Sequence, residues 1–136
     1  MFLNKLDENE KKAFLALALK IQNIDGKITS GEIRVIKEFC QEMNIPSDLK
    51  EKYSLEDISN VFSKSSVYVK KAVIFEALGL AYADGKLDDK ENEIISAIAK
   101  SIGLTDDVVD KLDEYILRYI VFVEEISEVM ESNYIG

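Results

Sequence analysis

The chain contains no histidine and a single cysteine, Cys40, among its 136 residues. Zinc sites built on His and Cys, Ser-His-Asp and Cys-His nucleophilic machinery, and any disulfide within the chain are excluded together. A lone thiol suits a reducing setting, and a cytoplasmic location is expected. Proline occurs once and glycine six times, too little punctuation for a many-stranded sheet or a flexible linker. No apolar run approaches the roughly 18 residues that cross a membrane. The most hydrophobic piece, YILRYIVFV at 115–123, is short and carries Arg118. Residues 1 to 20 lack the layout of a secretory signal, because Asp7, Glu8 and Glu10 interrupt them at once. A protein that does not span a membrane is expected.

What the chain does contain is 47% hydrophobic and 32% charged residues, rich in helix formers. At 15.4 kDa it is long enough for one core and too short for two ordinary domains. The expectation is a single all-α domain over residues 1–136. Acids outnumber bases by 26 to 17, for a net charge of −9, so the surface repels phosphate backbones and nucleic acid is not expected as a partner. A divalent cation, a basic protein segment and plain solubility remain.

Helical spacing of apolar residues predicts a helix from Leu6 to Ile24, with Phe14, Leu15, Ala18, Leu19 and Ile21 inward. A second, from Gly31 to Met43, carries Ile33, Ile36, Phe39, Cys40 and Met43 on one stripe. Cys40 on that stripe reads as core packing rather than as a reactive thiol. Pro46 to Tyr53 reads as a turn or a single helical turn, and Ser54 as the cap of a short helix ending at Phe62. Residues 66–83 are apolar on more than one face and should form the most buried helix. Asp88 to Ile102 follows, with Ile94, Ile95, Ile98 and Ile102 inward. Thr105 suits the cap of a last helix to about Met130, in which Leu112, Ile116, Tyr119, Val123, Ile126 and Met130 step by four, three, four, three and four. That heptad seam fits packing on the protein's own core, and the apolar residues beside it leave a homodimer contact open.

An ungapped offset of 59 (84 − 25) pairs Asp25-Gly26-Lys27 with Asp84-Gly85-Lys86. It also pairs Ala13 with Ala72, Ala18 with Ala77, Leu19 with Leu78, Glu32 with Glu91, Ile36 with Ile95 and Asp48 with Asp107. A duplicated helix-loop-helix, about 13–48 and 72–107, is the natural explanation. Two such hairpins packed about a pseudo-twofold axis would bring their equivalent loops toward one surface.

Asp-Gly followed by Glu six residues after the Gly copies positions five, six and twelve of an EF-hand loop. The early carboxylates are missing, since positions one and three are Ile21 and Asn23 in the first copy and Leu80 and Tyr82 in the second. The second copy still offers Asp84, Asp88 or Asp89, and Glu91. The first offers Asp25 and Glu32, with Thr29, Ser30 and Gly31 where carboxylates would help. A weakly held calcium, magnesium or manganese ion would need waters or the other loop to complete its shell. Competing with this, Thr29-x-x-Glu32 and Asp88-x-x-Glu91 both have capping-box spacing, which alone accounts for the acids. Protein docking is the remaining use. Asp106, Asp107, Asp110, Asp113 and Glu114, which complement the dipole of the last helix, would then extend the acidic surface.

The segments AYADGKLDDKENEIISAIAKSIGL at 81–104 and NIDGKITSGEIRVIKEFCQEMNI at 23–45 resemble the TerB-like family, which includes tellurite-resistance TerB proteins and the N-terminal domain of DjlA-type co-chaperones. The resemblance implies a compact bundle of about seven helices with an internal repeat. It also implies an acidic surface around the two loops that holds divalent metal or docks partners in stress-response or membrane-associated complexes. Carried over by position, the metal candidates are Asp25 and Glu32 in one loop and Asp84, Asp88 and Glu91 in the other. The expected function is a non-enzymatic module that binds a cation weakly, docks a protein, or both. The alternatives are a metal-dependent hydrolase or phosphotransferase with a carboxylate-only site, for which neither a base nor a phosphate loop is visible, and a homodimeric scaffold.

Overall fold

A computed structural model describes residues 1–24, 26, 28–47, 53–83 and 88–136. After a 3-10 turn at Leu3–Lys5, the described residues form six helices: α1 Glu8–Asn23, α2 Ser30–Met43, α3 Leu55–Ser63, α4 Val67–Ala81, α5 Asp89–Ser101 and α6 Asp106–Glu131. Among the described residues there is no strand, so the all-α expectation holds. Each helix opens on a short polar side chain that accepts a backbone N–H of its first turn: Asp7, Thr29, Ser54, Ser66, Asp88 and Thr105. A cap of this kind contributes about 1 kcal/mol, which is why these residues set the boundaries more sharply than apolar spacing does. Part of the turn expected between Pro46 and Tyr53, residues 48–52, lies outside the described residues.

The duplication is written into the backbone as well as the side chains. α2 ends with Asn44 at φ 55, Asn44 N–H donating to the Gln41 carbonyl at 3.2 Å and Ile45 N–H to that of Cys40 at 3.0 Å. Fifty-nine positions on (103 − 44), α5 ends with Gly103 at φ 95, Gly103 N–H donating to Lys100 at 3.1 Å and Leu104 N–H to Ala99 at 3.0 Å. Both are the Schellman termination, a left-handed residue that lets two N–H groups close the last turn. The second copy uses glycine for it and the first uses asparagine, a side chain that tolerates that conformation.

α4 is the centre of the bundle. It packs on all five other helices, and Val69, Ala72, Val73, Ile74, Ala77, Leu78, Leu80 and Ala81 are buried. Phe14 of α1 and Phe39 of α2 meet edge to face, ring centroids 5.0 Å apart, a geometry that suits the aromatic quadrupole. Cys40 is buried, and burial raises its thiol pKa, in keeping with packing. Most expected inward residues are buried or half-buried, with one correction in α2. Ile33, placed on the inward stripe by spacing, is 42% exposed. The face is set instead by Glu32, Ile36, Phe39, Cys40 and Met43, because the capping box turns position 32 inward and thereby swings position 33 out.

α6 divides the expected seam. Ile116 is buried and Leu112 packs half-buried on the core, whereas every residue from Val121 onward is exposed. No helix among the described residues is long and apolar enough to cross a membrane.

Candidate functional site: the paired interhelical turns

The turn between α1 and α2 begins where Ile24 caps α1. It continues through Gly26, whose φ of 72 is one that L side chains avoid. Gly26 N–H donates to the Asn23 carbonyl at 3.3 Å. It ends in a complete capping box: Thr29 Oγ1 accepts from Glu32 N–H at 3.1 Å, and Glu32 Oε1 accepts from Thr29 N–H at 3.1 Å and from the Thr29 hydroxyl at 3.0 Å. The turn between α4 and α5 leaves the helix through Tyr82 and Ala83, whose N–H groups donate to Leu78 and Leu80 at 3.0 Å each. It re-enters at Asp88, where Oδ1 accepts from Lys90 N–H at 2.8 Å and Glu91 N–H at 3.4 Å.

The two turns touch. A Cβ added to Gly31 would lie 2.8 Å from the Ala83 carbonyl oxygen, closer than any real Cβ approaches. The start of α2 therefore rests on the exit of α4, and an open cleft lined by Thr29, Ser30, Gly31, Arg34 and Ala83 lies between them. The second turn reaches α6 as well, because the Tyr82 hydroxyl donates to Asp113 Oδ1 at 2.8 Å. Burial, then the hydrogen bond to Asp113 and its negative charge, push the Tyr82 phenol up to about 12.

Of the sequence candidates, Glu32 and Glu91 occupy equivalent repeat positions and are both 3% exposed. Glu32 is committed to its cap, and Asp88 caps α5. Asp25 and Asp84 lie outside the described residues. Among the described residues, no group of three or more His, Cys, Asp or Glu side chains is arranged to hold a metal ion. What reaches solvent where the helices leave the turns is Asp89 and Lys90 at the start of α5 and Arg34 on α2; Asp106, Asp107 and Asp110 are exposed in the opening of α6, which meets the second turn at Asp113.

Two features escape sequence reasoning. Gly31 breaks the repeat, standing opposite Lys90 (90 − 31 = 59); a departure from an otherwise close match is the signal that points to it. Glu76 is the other, a carboxylate on the most apolar helix. It is buried, with the Met1 ammonium 3.4 Å from its Oε2 and Glu42 sharing the same ammonium. Burial raises the Glu76 pKa, the ammonium draws it back and the charge of Glu42 raises it further.

No curated protein and no solved structure matches the chain significantly. Residues 49–114 match the family model described as tellurite resistance protein TerB. That span holds α3, α4, the second turn, α5 and the first part of α6, so it contains the second copy of the repeat whole. The all-helical architecture agrees with this match, which supports a TerB-like assignment.

Proposed function

We propose that the chain is a non-enzymatic TerB-like module that docks a basic protein segment on the joint face of its two interhelical turns. The observation that carries this reading is the contact between Gly31 and Ala83, which makes one surface of two turns distant in sequence. The Tyr82 to Asp113 hydrogen bond supports adding the acidic start of α6 to it, and a net charge of −9 favours a cationic partner. The family description supports a setting in stress or tellurite resistance. Titration with a lysine-rich peptide tests docking. Salt-sensitive binding that is lost in Asp89→Lys with Asp110→Lys is expected; no binding by the wild type removes the proposal.

A divalent cation is the second reading, favoured by the equivalent buried carboxylates Glu32 and Glu91. Its ligands would be Asp84, Asp88 and Glu91, with Asp25 and Glu32 from the first copy. Calorimetry with calcium, magnesium and manganese, on wild type and on Asp84→Ala with Glu91→Ala, decides it. Absence of heat with unchanged melting on adding metal sinks the cation and leaves docking standing.

A further inference from the structure

Past Ile120, α6 leaves the bundle. Residues 121–131 run on for roughly 16 Å at the rise of an α-helix, every one of them exposed. This extension is not built to stand alone. Val121, Val123, Ile126 and Val129 are β-branched, Phe122 is aromatic, and such residues are poor helix formers that hold a helix through burial. They make up five of the eleven residues of the extension, whose apolar face is left without the packing that most helices rely on.

The chemistry of the extension is sorted by face. The heptad seam that begins inside the domain at Leu112 and Ile116 continues outward as Tyr119, Val123, Ile126 and Met130. The positions flanking it are Ile120, Phe122, Ser127 and Val129, so no charge lies on or beside the exposed seam. The charges of the extension, Glu124, Glu125, Glu128 and Glu131, fall on the opposite side. All four are acidic, which disfavours an anionic lipid surface as the occupant. A helix of the same kind is favoured, because a seam stepping by four and three fits its own copy.

We infer that α6 pairs with α6 of a second copy in an antiparallel coiled coil over residues 119–131. A dyad between Glu124 and Glu125 sets Val123 against Ile126 of the partner subunit, and Tyr119 against Met130 of the partner subunit. This orientation keeps the two bodies, each of them acidic within a chain whose net charge is −9, at opposite ends of the pair; a parallel arrangement would press them together. It also brings the tip of each helix, where Val129 and Met130 are 71% and 78% exposed, over a cleft of about 360 Å³ between α2, α4 and α6. Phe39, Phe75 and Ile120 give that cleft its apolar wall. The four exposed seam side chains with the flanking Phe122 and Val129, each presenting on the order of 100 Å², bring the total over both copies to about 1,200 Å², the lower edge of stable interfaces.

Sedimentation equilibrium of the whole chain over a concentration series tests this. The wild type is expected to approach twice the monomer mass. Ile126→Glu, which faces two carboxylates into the seam, is expected to weaken the dimer roughly hundredfold or more. Val121→Glu places the same charge on the outer face and is expected to change dissociation by less than about threefold. Circular dichroism of both variants confirms that the bundle is folded. A wild type that stays monomeric throughout the series overturns the inference, and so does equal weakening by the two substitutions. A monomer that co-sediments with zwitterionic vesicles overturns it too and assigns the face to lipid.

Discussion

Replacing Gly31 with alanine tests whether the two turns are packed against each other. Gly31 lies in the first turn of α2 and is not among the residues with positive φ, so its backbone accommodates any L residue. On helix propensity alone, Gly→Ala stabilises by up to about 1 kcal/mol, and less near a terminus. Against this stands the added methyl, 2.8 Å from the Ala83 carbonyl oxygen. The obstacle is backbone, held at the exit of α4 by the Ala83 N–H bond to Leu80, and cannot rotate away as a side chain would. Overpacking of this sort costs about 1–3 kcal/mol, so the clash wins and a net loss of about 1 kcal/mol is expected. In a chain this size that is a fall of roughly 3–5 °C in melting temperature, with a matching shift in the urea midpoint. Gly26→Ala is the control. Nothing lies within 4 Å of its added Cβ, and its cost comes from φ +72 alone, so Gly26→Asn should recover part of the loss while Gly31→Asn should deepen it. A Gly31→Ala variant more stable than wild type would refute the contact between the turns, and the joint docking face with it.

Two pH dependences follow from desolvated groups. The Tyr82 phenol is raised from 10.0 to about 12, so its contribution to stability is complete below 10 and is lost as pH rises through the folded value. Ultraviolet titration should show one tyrosine ionising late, and Asp113→Asn should bring it forward; an unchanged curve in that variant would rule out the Tyr82 to Asp113 bond as a cause. Glu76 is also raised, first by burial. Its contribution is therefore complete below the usual 4.5 and is lost as pH climbs through its folded value. Stability of the wild type between about pH 4 and 8, compared with Glu76→Gln, should lose that component of slope, and identical slopes would count against the burial argument.

The helices are legible because two strong local signals agree in this chain: apolar residues at helical spacing, and a Ser, Thr or Asp before each run. The repeat obeys the same logic one level up. Matches such as Ala18 with Ala77 and Ile36 with Ile95 are core positions, and the core is what a duplicated hairpin must keep. Spacing puts Ile33 inward wrongly because it does not say which of two adjacent residues faces the core; the reach of Glu32 back to Thr29 decides that. The adjacency of the turns follows from the duplication as a geometric expectation, but Gly31 as its contact point depends on the approach of one backbone oxygen. Glu76 is invisible for a related reason. Its partner is the N-terminal ammonium, shared with Glu42 of another helix, and no pattern local to α4 encodes that meeting. The seam of α6 is readable throughout, while the point at which it leaves the bundle depends on where the packing against α4 runs out.

The way the helices interlock bears on whether either hairpin can exist alone. α1 packs on α3 and α4 as well as on α2, α4 packs on α2 and α5, and α3 bridges α1 to α5. Cutting the chain near Ser65 would strip the apolar side of each half, so neither fragment is expected to hold a fold in isolation. Mixing the halves should restore it.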